Sequence, residues 1–168
     1  MFCRKMGGCS VEKMITSVDV ASFIKYWSMA KYYHTLNKTQ VNKLLFIAYG
    51  FYLVLHNGER PFSDDTPKAW PFGPVFPRVY RLYSYNDNSI QKSVLEMIRE
   101  DRSLFNILTT VVARFHTWSA SRLTEWSHRP GSPWHKTVYG ENGTDKGKWG
   151  EEISDELIIS FFGQSIKK

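Results

Sequence analysis

The chain has 168 residues, a formal net charge of +6 and an apolar fraction of 42%, with 6 Trp, 9 Tyr and 11 Phe. That is enough apolar side chain to bury one sizeable core and too much for a disordered chain. No repeat period suggests an array, and the longest apolar stretch, Leu44 to Leu55, falls short of the ~20 residues a membrane span needs.

At the N-terminus, Met1 to Lys13 carries Arg4 and Lys5 but no apolar core. A secretory leader is therefore not expected, and a cytoplasmic location is. Cys3 and Cys9 both lie in this stretch, where they cannot staple a core and do not match zinc-ligand spacing. The expectation is a loose tail over residues 1–13 with reduced thiols, Met14 as an alternative start, and one domain over 14–168. From Lys13 to Lys136 there are 16 basic and 9 acidic residues, and from Thr137 onward 4 basic and 6 acidic. The basic residues are spread singly along the chain, the pattern of a solvated face more than of a nucleic-acid footprint.

Proline punctuates the rest. All seven fall in two clusters, Pro61 to Pro77 and Pro130 with Pro133, so helices are expected in the proline-free stretches. Val20, Phe23, Ile24, Trp27 and Ala30 follow helical spacing after Asp19, predicting a first helix over 20–32 with Asp19 as its cap. A second runs from a Thr39 cap along Val41, Leu44, Leu45, Ala48, Tyr49, Tyr52 and Leu55 to Asn57-Gly58, and is the expected central helix. Glu59 to Pro77 follows, with short candidate strands around Phe62 and Ala69 forming a small two-stranded hairpin, and then the stiff loop Trp70-Pro-Phe-Gly-Pro-Val-Phe-Pro77. Ser89 and Ser103 open the next two apolar stripes, a candidate helical hairpin. Ser119 caps a short helix carrying Leu123 and Trp126, Ser132 precedes Pro133 at the start of another, and Ile153 and Ile158 staple a last helix that begins at Ser154. The fold class read from this order is mainly α: a single-domain helical bundle with a small hairpin and a proline-rich loop between its second and third helices.

Enzyme chemistry finds little support. Glu125-Trp-Ser-His128 is one E-x-x-H pair, but a di-iron site needs two such pairs and further carboxylates. A capping or core-bonded His128 is the simpler reading, and no metal or cofactor is expected. There is no G-x-S-x-G elbow, and the glycines between Gly140 and Gly150 lack phosphate-loop spacing because Gly147-Lys148 is followed by Trp149. The unusual features are two proline-stiffened aromatic corners, Trp70 to Pro77 and Ser132-Pro133-Trp134. They either cover the end of the helical core or present rigid aromatics for recognition, a large area with little entropy to lose.

These same residues carry a family resemblance. Lys43-Leu-Leu-Phe-Ile-Ala-Tyr-Gly50, Ala69-Trp-Pro-Phe-Gly-Pro-Val75 continuing to Pro77 and Tyr80, Leu123-Thr-Glu-Trp-Ser-His128 and Ser132-Pro-Trp-His-Lys136 occur in order. Together they resemble the Panacea domain, which includes SocA-like antitoxins and phage- or mobile-element-associated GepA-like proteins. The resemblance runs from about Val18 to Phe162. It implies a mostly helical, non-enzymatic antitoxin that neutralises a protein toxin encoded nearby through direct contact. A variant role is delivery of that toxin to an ATP-dependent protease. Lys43, Trp70, Phe72, Gly73, Pro74, His128, Pro133 and Trp134 match the family pattern. Lys43, Trp70 and Phe72, with Arg78 and Arg81 nearby, are the candidate toxin-binding residues; Gly73, Pro74, His128, Pro133 and Trp134 are the candidate structural ones. Departures are Ser127 where threonine is usual before the histidine, and the added helix between Asn86 and Ser103. Some relatives add a DNA-binding module; no helix-turn-helix is assigned outside the domain here, so direct autorepression is not expected. A nucleic-acid-binding role for the basic body is the reading from a different class, and predicts steep salt dependence.

Overall fold

A computed structural model describes residues 14–145 and 147–167; the expectations for Cys3, Cys9 and the 1–13 tail lie outside the described residues. The architecture is organised by α2 (Lys38–Leu55), in which every residue from Gln40 to Gly50 is buried. A helix buried on all sides must be wrapped by other elements. Around it pack α1 (Ser17–Tyr32), α5 (Arg102–Phe115), α6 (Ala120–His128) and α8 (Asp155–Ile166). The core joins Phe23 and Ile24 of α1, Leu44 and Leu45 of α2, Leu108 and Val112 of α5, and Phe162 of α8. No described helix is long and apolar enough to cross a membrane.

Two helix starts lie earlier than the apolar stripe suggests. Thr16, not Asp19, caps α1: the Thr16 hydroxyl accepts from the Asp19 amide at 3.2 Å, and the Asp19 carboxylate accepts from the Thr16 amide at 3.0 Å. Asn37, not Thr39, caps α2 in the same reciprocal arrangement with Gln40. In both cases the acid or amide at the third helical position identifies the cap three residues before it. Similarly α4 (Lys92–Glu100) begins after Gln91 rather than at Ser89, and α5 is capped by Asp101 rather than Ser103; the two helices pack as a hairpin. Ser119, Ser132 and Ser154 cap α6, α7 (Pro133–Tyr139) and α8 as expected. Ile153 and Ile158 are both fully buried at the start of α8.

The hairpin differs from expectation in one strand. Its strands are β1 (Lys68–Trp70) and β2 (Gly73–Val75), antiparallel, with Ala69 opposite Pro74 and Trp70 opposite Gly73. Phe62 is instead a core residue, packed on Tyr49 and Phe76. The reason lies on the far edge of β1. The Ala69 amide donates to Glu151 O and the Ala69 carbonyl accepts from Gly150 N, both at 2.8 Å. With both Ala69 groups so engaged, Pro74 opposite it forfeits no ladder bond by lacking an N–H. A further helix, α3 (Pro77–Leu82), follows at once with proline at its first position; the residue reading ended its loop at Pro77 and assigned no element between there and Ser89.

Candidate functional site

The tip of this hairpin is supported from below by three buried groups. Lys43, only 1% exposed, extends from α2 and donates its ammonium to Pro74 O at 3.1 Å. Next to it Asn42 accepts from the Phe76 amide at 2.9 Å and donates to Lys38 O at 3.0 Å, joining the end of β2 to the first turn of α2. On the other strand the Trp134 indole N–H donates to Trp70 O at 2.8 Å. His128 stacks flat on the Trp134 ring, with centroids 3.7 Å apart.

Packing at the turn leaves no room for a side chain on Gly73. Its φ is +105°, and a Cβ there would lie 2.5 Å from Ser127 Oγ and 2.7 Å from Lys43 Cε. Both facts require glycine. Ser127 is itself fixed, donating to Thr124 O at 2.8 Å, while the Ser132 hydroxyl donates to Ser127 O at 2.7 Å. The two family-like corners are thus one unit: α6, α7 and the hairpin lock together over Lys43.

Burial has electrostatic consequences here. Desolvation by burial pulls the Lys43 pKa down to about 7, and among the described residues its ammonium donates to one carbonyl, that of Pro74. His128 is also pushed below its ordinary value, first by burial and then by the nearby Lys43 and His135 charges. Its Nε2 is buried without a hydrogen-bond partner among the described residues. Glu125 points outward, and no cluster of three or more His, Cys, Asp or Glu side chains forms among the described residues.

Above this support, Phe72 projects from the turn and is 74% exposed. It forms a ridge between two open grooves. One, of about 290 Å³, lies between α2 and α3 and is walled by Lys38, Thr39, Trp70, Phe72, Val75 and Tyr80. The other, about 390 Å³, lies toward α6 and is lined by Thr39, Phe72, Ala120, Ser121, Thr124 and Glu125. Trp70 meets Tyr80 edge to face at 5.0 Å, and the Lys38 ammonium rests 4.2 Å from the centre of the Tyr80 ring.

The candidate residues therefore separate by depth. Phe72 and Arg81 are exposed, Trp70 is half-buried as a groove wall, and Lys43 lies underneath rather than on the surface. Arg78 is held to Asp64 at 3.3 Å, and its amide donates to Asp65 at 2.8 Å. Gly73, Pro74, Pro133 and Trp134 are all buried. Residue reasoning missed Lys38, Thr39 and Asn42. Lys38 does leave a signal: it is the first residue of a helix, where a cation opposes the helix dipole.

A helical domain with a hairpin locked by a buried lysine and a tryptophan over its central helix is the class this geometry defines. The SocA-like antitoxin family with the Panacea domain matches residues 41–135, and the chain belongs to that family. It is similar to Antitoxin SocA of Caulobacter vibrioides (strain NA1000 / CB15N), 32% identical over 139 residues that cover 76% of this chain and 72% of that one. No solved structure matches it. The matched stretch contains Asn42, Lys43 and Trp134 beneath the hairpin, while Lys38 and Thr39 fall just before it and residues 150–153 on the β1 edge fall after it.

Proposed function

We propose that this chain is an antitoxin that neutralises a protein toxin encoded nearby by binding it directly through the hairpin tip. The observation that carries the reading is Phe72: a large apolar ring, 74% exposed, on a turn whose backbone is pinned from beneath by Lys43 and Trp134. Little order remains to be lost when such a ring enters a partner's pocket. The mode is side-chain insertion rather than strand addition. Residues 150–153 run along the outer edge of β1, and Lys43 and Asn42 cap the outer groups at Pro74 and Phe76, so neither edge offers a free ladder. The basic balance of the body steers association with an acidic partner surface.

Co-expression with the product of the adjacent reading frame tests the reading. The wild-type chain restores growth and co-purifies with that product. Phe72→Ala loses both while its melting midpoint stays within ~2 °C, as an exposed position allows. A harmless neighbour and no co-purifying partner would end the proposal. Rescue that requires an intact ATP-dependent protease would convert direct blocking into delivery for degradation.

A further inference from the structure

The groove between α2 and α3 has a chemistry of its own. Trp70, Phe72 and Tyr80 line it together with Lys38 and the buried Lys43, and the Lys38 ammonium rests on the Tyr80 ring. None of the residues lining it is acidic. Among the described residues, the ion pairs engage Arg60, Lys68, Arg78, Lys92, Lys136 and Lys148, and Lys38 belongs to none of them. Its charge instead rests over two tyrosine rings, 4.2 Å from the centre of Tyr80 and 5.9 Å from that of Tyr83. A ring face orients a cation without neutralising it. The ammonium is therefore pre-positioned and has no carboxylate to exchange before it meets another.

Local stability does not explain the residue. Lys38 is the first residue of α2, where the helix dipole favours acid over base. Arg122 is likewise in the first turn of α6, beside the Ser121 that lines the second groove, and its guanidinium lies 3.6 Å from the Trp118 ring centre. The N-termini of α2 and α6 thus both border Phe72, with Lys38 lining the first groove and the Arg122 guanidinium stacked on Trp118. Positions chosen against local preference are expected at functional surfaces.

We infer that this groove takes an acidic segment of the toxin with an apolar anchor: one aliphatic or aromatic side chain between Trp70, Phe72 and Tyr80, and a neighbouring aspartate or glutamate on Lys38. The space of about 290 Å³ suits one large side chain. The inference rests on the hairpin tip being the toxin-facing surface, and adds the chemistry of what it binds.

The test compares wild type, Lys38→Glu, Lys38→Arg and Phe72→Ala for association with the neighbouring-frame toxin at low and high salt. Lys38→Glu suits the helix dipole, so lost binding does not report lost folding. Lys38→Glu is expected to weaken binding at least ~10-fold at about 50 mM salt and less than ~3-fold at about 500 mM, with Lys38→Arg within ~2-fold of wild type. An acid-to-lysine substitution in the toxin that rescues Lys38→Glu would identify the carboxylate. Loss with Phe72→Ala but wild-type binding by Lys38→Glu overturns this inference and leaves the antitoxin reading intact. If no toxin binds at all, the antitoxin reading fails, and a peptide titration decides the groove by itself. Acetyl-Asp-Trp-Glu-amide should shift the backbone NMR signals of Lys38, Thr39 and Tyr80, and acetyl-Lys-Trp-Lys-amide should not. Equal shifts from both peptides, or none, overturn the assignment.

Discussion

Lys43 shows how far one residue's role depends on what lies above it. A lysine on an amphipathic helix ordinarily extends its ammonium to water; here the hairpin closes over it, and among the described residues its ammonium donates to one carbonyl, at 3.1 Å. With its pKa drawn down to about 7 by burial, the folded state binds fewer protons than the unfolded state between about pH 7 and the ordinary lysine value. Stability then rises with pH across that window and is lost as pH falls toward 7. Wild type should gain about 1 kcal/mol per pH unit between pH 7.5 and 9.5 relative to Lys43→Met. Denaturant midpoints measured for both proteins across that range check it. Parallel curves would place the ammonium in water after all. Tyr52, whose pKa is raised to about 12 by burial first and then by Asp101, opposes the trend only toward the alkaline end.

At the scale of elements, the hairpin is too short to stand alone. Strands of three residues do not form a stable isolated pair in water; this one survives because α2, α7 and residues 150–153 each supply a bond to it. Trp134→Phe keeps an aromatic ring beside His128 but removes the donor to Trp70 O and part of the buried indole. The change should cost about 1–2 kcal/mol and speed hydrogen exchange selectively at Ala69 and Gly73. Uniformly faster exchange across the domain would instead make Trp134 a general core residue. The three-residue length also explains why half of the hairpin escaped a residue-level reading. The strand around Ala69 was expected, but Gly73-Pro-Val75 carries no alternating period to follow, and its outer carbonyl is bonded by Lys43, 31 residues away in the chain. The caps at Ser119, Ser132 and Ser154 were legible in the sequence, and each bonds an amide three residues away.

For the whole molecule, closure depends on α8 lying against α2. The Phe162 ring packs directly on Gly50, where an added Cβ would overlap it. At the start of α8, Asp155 accepts from the Tyr49 hydroxyl at 2.9 Å and from Arg60 Nε at 2.7 Å. Burial, then the Asp155 hydrogen bond and charge, raise the Tyr49 pKa above its ordinary value. In an isolated helix Gly→Ala is stabilising by about 1 kcal/mol; at Gly50 the sign should reverse. Gly50→Ala is expected to destabilise the domain by about 1–3 kcal/mol through overpacking, measured by thermal or urea unfolding. A rise in stability would show that α8 does not hold this position in solution.

What the sequence determined by itself was mostly local or repeated: the long helices and their apolar faces, the caps at Ser119, Ser132 and Ser154, the proline at the start of α7, and the ordered motifs that carry the family. Those signals act over three or four residues, within reach of one turn of backbone. Only the tertiary structure decided that Phe62 is core and Gly73 is strand, that Lys43 supports the turn from below, and that Lys38 faces a groove ending in Phe72. Each of these depends on residues far apart in the chain brought within hydrogen-bond or ring-contact distance. The physical reason is that burial, unlike periodicity, is a property of neighbours, and the neighbours of the hairpin come from α2, α6, α7 and residues 150–153 together.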